Sequence, residues 1–290
     1  MRSPMPSLAP TRRPPNGPGA RSRTLTGART LRRVDTTDPY ASDAPFYDLI
    51  HGRDGDDTGL WLSFAGRTDR PVLEVGTGTG RIGIALARAG HTVVGVDPST
   101  AMLAVAREVI EDDALDTITL LQGRVTDLAL EPEYFGFVLV PADVFLYCED
   151  GEDQVATLQF LAASMTYNGR LALDLPGPAS WQDPSTNGQP LLVYSGPLED
   201  GSTLDAWQVH EDDLAAQSRV LRMTYETTAP DGLVRRRVGE HRLRYLYRFE
   251  VEYLLARAGL AQVDVYGDYD LGPLTNESER MIVIARRVTG

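Results

Sequence analysis

The chain's strongest chemical signal is Val72-Leu73-Glu74-Val75-Gly76-Thr77-Gly78-Thr79-Gly80-Arg81, an apolar run leading into three alternating glycines. Glycine accepts positive φ and lets a ligand press against the backbone. The helix expected after the loop offers free N–H groups and a partial positive charge at its start. Such a cradle suits a nucleoside-bearing cofactor. Asp97 closes the next apolar run. A carboxylate there can accept from two hydroxyls in a bidentate, charge-assisted pair.

Two cofactors fit this pattern. Gly78, Gly80 and Gly83 spell G-x-G-x-x-G, the dinucleotide fingerprint, and Asp97 stands where an NAD-binding acid would. An NAD(P)-dependent oxidoreductase is therefore one reading. Three features favour S-adenosylmethionine (SAM). Glu74 lies inside the first strand, two residues before the first glycine. The segment Val96-Asp97-Pro98-Ser99-Thr100-Ala101-Met102-Leu103 runs straight into a helix. A last strand returns at the C-terminal edge, after the strand expected at 261–266.

With these residues the chain resembles the class I SAM-dependent methyltransferases. Glu74 to Gly80 looks like their glycine motif, and Asp97 matches the acid that binds both ribose hydroxyls. The resemblance implies cofactor contacts from Glu74, Gly76, Thr77, Gly78, Gly80, Arg81, Asp97 and Pro98, with Met102 against the adenine edge. It also implies SAM as cofactor, S-adenosylhomocysteine (SAH) as product, and a seven-stranded sheet in the order 3-2-1-4-5-7-6. Within the class the chain is similar to a small-molecule branch. Phe46-Tyr47-Asp48 precedes the domain, Pro141 follows the fourth strand, and Tyr-Gly-Asp-Tyr-Asp-Leu runs from Tyr266 to Leu271. The likeness covers about residue 44 to the end. One departure follows the third strand, where many members carry Gly-Asp and this chain has Gly123-Arg124. Arginine cannot accept a hydrogen bond, so adenine is expected on backbone atoms of Arg124 and Val125, or on Asp127.

The elements that position these residues follow from periodicity. Helices are expected at 58–65, after the glycine loop, from Ser99, at 154–165 and at 249–258. Strands are expected at 72–75, 92–96, 117–121, 137–140, 171–175, 261–266 and 281–286, with Asn168-Gly169 as a turn. Their alternation predicts an α/β Rossmann-like fold, a mostly parallel sheet with helices on both faces. The alternation breaks at 177–246, where β-like runs at 191–194, 203–210, 219–228 and 234–247 predict an inserted antiparallel sheet. The expected organisation is a disordered Arg/Pro-rich tail at 1–38, a core at 39–176 and 247–290, and the insertion at 177–246 covering the acceptor site.

The insertion's alternation predicts one aromatic–apolar face: Trp207 and Val209, then Leu221, Met223 and Tyr225, then Leu243, Tyr245 and Tyr247. Trp207, Tyr245 and Tyr247, with Tyr47 opposite, are candidate acceptor contacts. The same face could instead form a dimer interface, so monomer and homodimer both stay open. The run Arg235-Arg236-Arg237 could attract an anionic acceptor.

The transfer is expected to be an in-line displacement in which the protein aligns the nucleophile and removes water. A neutral amine needs no base, whereas an oxygen acceptor does. Candidate bases are Tyr47, Asp143, Tyr147, His241 and His210. N- and O-methylation both remain open, as does a non-catalytic SAM-binding regulatory or assembly role.

Bulk composition narrows the classes. Net charge is −13, and all charged side chains before Asp35 are arginines, so the rest is more acidic still. An acidic body repels phosphate backbones, and no Asn-Pro-Pro-Tyr-type motif follows the fourth strand, so no nucleic-acid partner is expected. No lysine occurs, which excludes a Schiff base. No metal site is read. Cys148 is the only cysteine and no apolar run spans a bilayer, so a cytoplasmic protein without a membrane partner is expected.

Overall fold

The computed structural model describes residues 38, 40–53, 55–148, 150–181 and 186–288. The tail expected at 1–38 lies outside them except for Asp38. A helix α1 (Tyr47–His51) and a second, α2 (Thr58–Ala65), precede β1 (Val72–Val75). There follow α3 (Arg81–Arg88), β2 (Val93–Asp97), α4 (Thr100–Asp112), β3 (Ile118–Gln122), β4 (Phe135–Val140), α5 (Gly151–Ser164) and β5 (Met165–Pro176). Strands β6 (Leu191–Pro197), β7 (Thr203–Asp213), β8 (Ser218–Thr228) and β9 (Val234–Arg244) come next. The chain closes with α6 (Arg248–Arg257), β10 (Leu260–Tyr266) and β11 (Arg280–Arg287).

The main sheet has seven strands in the order β10-β11-β5-β4-β1-β2-β3. This is the expected order 3-2-1-4-5-7-6, with β11 antiparallel to both neighbours and the rest parallel. The second sheet is a four-stranded antiparallel meander, β6-β7-β8-β9.

Strand β1 is buried on both faces, and its alternation sorts the core. Leu73 and Val75 point to a cluster with Phe145, Leu158, Leu161, Val251 and Leu255, which binds α5 and α6 to one face. Val72 points to the other, with Trp61, Phe64, Ile82 and Leu86 of α2 and α3. At the carboxyl ends of β1 and β4 the strand order reverses, the place where open α/β sheets bind ligands. Ser99 caps α4 by accepting from the Met102 N–H at 3.1 Å, fixing where the chain turns after β2.

Several local expectations change. Asn168-Gly169 is not a turn that separates helix from strand. It lies inside β5, where the pairing with β4 shifts register between Phe135 and Phe137. The single face expected of the insertion is divided by register. Trp207 pairs with Thr224 and Val209 with Arg222, whereas Tyr225 pairs with Ala206 and Met223 with Gln208. Side chains alternate with period two, so Trp207 and Val209 point away from Met223 and Tyr225. Strand β9 ends at Arg244, so neither Tyr245 nor Tyr247 extends that face. Among the described residues no helix is long and apolar enough to cross a membrane.

Candidate functional site

Leaving β1, the backbone takes φ of +76° at Gly76 and +57° at Gly78. A Cβ on Gly76 would lie 2.3 Å from Val144, so glycine here lets the segment after β4 close on the loop. At Gly78 nothing lies within 4 Å of the place a Cβ would take. The loop is therefore tied down on one side and open on the other. The Gly76 and Thr77 N–H groups donate to the Val96 carbonyl at 2.7 and 3.0 Å, seating the loop on the end of β2.

Asp97 stands at that end, nearly buried. One oxygen accepts from Gly78 N–H at 2.9 Å and the other from Ser99 N–H at 2.8 Å. Burial pushes its pKa up, opposed by those two bonds. A carboxylate has about four lone-pair sites, so two remain for ribose hydroxyls. The open backbone at Gly78 and this carboxylate fit the nucleoside end of SAM.

Glu74 faces away from the opening. Its Oε2 accepts from the Thr77 hydroxyl at 2.6 Å and would lie 2.5 Å from a Cβ on Gly83. The last glycine of the G-x-G-x-x-G match thus makes room for a buried acid under α3. Burial raises the Glu74 pKa to about 8, so the carboxyl is largely protonated near neutrality. Arg81 leaves the loop toward Asp57, which accepts from both terminal nitrogens at 2.5 and 2.8 Å and also from Trp61 at 3.0 Å.

The segment before α2 joins the two sheets. Asp38 Oδ2 accepts from the Ser99 hydroxyl and the Ala101 N–H, both at 3.1 Å, at the start of α4. Asp48 accepts from the Thr79 hydroxyl at 2.6 Å, on the glycine loop. Between them Asp43 reaches the second sheet, accepting from the Tyr225 hydroxyl at 2.7 Å and meeting His241 Nε2 at 3.2 Å. Phe46 packs there with Leu204, Ala206, Met223 and Tyr225.

Four rings gather where these parts meet. Tyr40 lies 4.5 Å from His241, 5.9 Å from Tyr147 and 6.3 Å from Tyr47, centroid to centroid. The Tyr40 and Tyr147 hydroxyls share a hydrogen bond. Burial raises the pKa of each tyrosine, Tyr47 to about 12. Arg81, Asp143, Asp97 and Asp48 all act electrostatically on Tyr47, after burial, the largest cause.

That end is held in an unusual conformation. Ala142 and Asp143 take φ of +48° and +66°, a left-handed pair without glycine, the kind of strain that persists where the surroundings impose it. Asp174, fully buried in β5, imposes it by accepting from Ala142 N–H at 3.1 Å and from Tyr269 at 3.2 Å. Arg280 donates to Asp174 at 2.5 Å and to Asp143 at 2.8 Å. The turn that follows, Val144–Tyr147, carries Val144 to Gly76 and Tyr147 to Tyr40.

Sequence reading named Tyr47, Tyr147 and His241, and the fold brings them together. Asp143 is ion-paired to Arg280 instead. Met102 and Val125 are buried and Pro98 is exposed, all beside the Asp97 end. Arg124 swings its guanidinium to Asp153 at 2.6 Å, leaving its backbone beside Val125. Pro141 is buried at the end of β4. Tyr245 is buried with its ring against Tyr247, which is half exposed and caps α6. His210 lies within 3.4 Å of Thr186. Asp48 was read from sequence only as part of Phe46-Tyr47-Asp48, and Asp38, Tyr40 and Asp43 were not singled out, since single residues of a short polar segment carry no periodic signal. Asp174 was not named either, although an acid inside the apolar run of β5 repeats the pattern of Glu74 and is the signal that could have found it. A recess of about 1080 Å³ opens at the opposite ends of the strands, lined by Arg67, Thr68, Arg70 and Tyr167, away from this arrangement.

Known proteins similar to this chain are methyltransferases. Residues 72–169 match the methyltransferase domain family. The cypemycin N-terminal methyltransferase of Streptomyces sp. is 26% identical over 245 residues, 83% of this chain and 94% of that protein. The CcbJ methyltransferase of Streptomyces caelestis superposes with a TM-score of 0.73 at 24% identity, covering 87% of this chain and 99% of that one. The sugar N-methyltransferase KedS8 of Streptoalloteichus sp. superposes with a TM-score of 0.64 at 20% identity, over 94% and 100% of the chains.

Proposed function

We propose that this chain, a SAM-dependent methyltransferase of the class I fold, methylates the amine nitrogen of a small molecule. When bound, SAM supplies a methyl group already activated on a sulfonium. The residues that would hold it are the backbone of Gly76, Thr77, Gly78 and Gly80, Asp97 with Pro98 on the ribose, and Met102, Arg124 and Val125 around adenine. Asp57 takes two of the five N–H donors of Arg81 and Thr58 a third, and the remaining two suit the cofactor's carboxylate. Glu74 supports the loop from below, and Pro141 ends the wall beside the methyl group.

The observation that carries the amine reading is the ring cluster of Tyr40, Tyr47, Tyr147 and His241 beside the glycine loop. Its tyrosines stay protonated at neutral pH because burial disfavours their anions. Hydroxyls of this kind orient a nitrogen lone pair and exclude water, while their rings favour a cationic centre. As protonated phenols the tyrosines offer no base to an alcohol. The 26%-identical relative named as an N-terminal methyltransferase supports the same reading. In it the second sheet, β6 to β9, covers the acceptor side through Tyr225 and His241, and Trp207, Tyr245 and Tyr247 are not contacts.

The test is SAH formation from SAM with a panel of amines: aminodeoxy sugar glycosides and short peptides with a free α-amino group, each beside its hydroxyl counterpart. Turnover of amines and not of alcohols is expected. Turnover of the alcohols alone would overturn the reading.

A further inference from the structure

Two buried polar atoms beside the ring cluster make no hydrogen bond among the described residues: His241 Nδ1 and Asp43 Oδ2. Both side chains are 3% exposed. An unsatisfied buried polar atom costs about 1–3 kcal/mol, and a native structure that keeps one calls for a reason. Asp43 Oδ1 faces His241 Nε2 at 3.2 Å and also accepts from Tyr225. Where Nε2 donates to Asp43 Oδ1, it carries the ring's N–H and Nδ1 keeps a lone pair.

The ring's neighbours bear this out. Asp43 and Tyr40 face it from the N-terminal segment, and Tyr147 from the turn after β4. Tyr225 of β8 stands behind Asp43, on which His51 also acts. Every tyrosine in this set holds its proton more tightly than usual, with burial as the main cause. Nδ1 of His241 is thus the lone pair in the cluster suited to take a proton.

We infer that His241 Nδ1 is the proton acceptor for the methylated amine, with Asp43 fixing the tautomer. This rests on the amine reading above. An amine arrives from water as its ammonium ion, which has no lone pair. One N–H bond breaks and the proton passes to His241 Nδ1, giving an imidazolium paired with Asp43. The freed lone pair forms the N–CH3 bond as the S–CH3 bond breaks, and that electron pair stays on sulfur. The proton leaves to solvent when the product departs.

The experiment has two arms on the full chain. In the first, ¹⁵N NMR of the wild-type SAH complex near neutral pH reads the His241 tautomer, its signals assigned by replacing His51, His91 and His210 one at a time. A proton on Nε2 with Nδ1 bare is expected. A proton on Nδ1 overturns the proposal whether or not an amine has been turned over, and the variant need not fold for this arm to decide. In the second, His241→Gln is compared with wild type on a short peptide with a free α-amino group. Turnover should fall roughly 100-fold near neutrality, and the deficit should shrink above the amine's own pKa of about 8. SAH affinity should not change. A deficit equal at every pH means a structural role and overturns the proposal. If Nδ1 is bare and wild type methylates alcohols but no amine, the amine reading has failed, and this inference fails with it.

Discussion

The Tyr225 hydroxyl donates to Asp43 Oδ1 across 2.7 Å, joining residues 182 positions apart. Through Asp43 the second sheet is held to a segment that also reaches the glycine loop by Asp48 and the start of α4 by Asp38. Tyr225→Phe removes the donor and leaves a buried carboxylate short of a partner. The expected loss is about 1–3 kcal/mol of folding stability, read from urea unfolding. An unchanged midpoint would mean that this bond contributes nothing.

Asp97→Ala is expected to weaken SAH binding by about 2–4 kcal/mol, since the ribose loses a charged acceptor and the Gly78 N–H its partner. Calorimetry measures it, beside a circular dichroism check that the fold survives. Normal affinity in the mutant would move the ribose elsewhere.

Glu74 makes stability depend on pH. Its pKa rises from the ordinary 4.5 to about 8 on folding, through burial first, against the Thr77 bond. Between those values the folded chain keeps a proton that the unfolded chain gives up. The contribution is therefore whole below about 4.5 and is lost as pH climbs to about 8. Glu74→Gln should flatten that decline, with the gap between the two proteins changing most across this window. Parallel unfolding curves at each pH would contradict the assignment.

Arg280→Ala leaves Asp174 buried without its cation and Asp143 without its partner. Removing one member of a buried pair costs about 3–5 kcal/mol, here at the lower end because Arg280 is partly exposed. The left-handed turn at Ala142 and Asp143 should loosen, so methyl transfer should fall more than SAH affinity does. Equal losses in both would argue against a local effect at the end of β4.

Much of the fold was legible before any coordinates. Strand, glycine loop, helix and acid are local patterns, and each states its own backbone need: positive φ at Gly76 and Gly78, a cap at Ser99, burial on both faces of β1. A mostly parallel sheet and a separate antiparallel one follow from the same alternation and its break, whereas the strand order came from the resemblance to the methyltransferases. What the local pattern does not carry is register. The insertion's strands were visible, but one residue of offset between Trp207 and Met223 decides which of them faces inward, and only the β7–β8 pairing sets that. The function of an acid is equally non-local. Asp38, Asp43 and Asp48 look alike in a short polar segment, and their partners lie 61, 182 and 31 positions away. The sequence determined the glycine loop and its flanking strand and helix because their pattern is built from adjacent residues. The ring cluster and the Asp43–His241 pair belong to tertiary structure alone, because they exist only where the N-terminal segment, the turn after β4 and the second sheet close on one another.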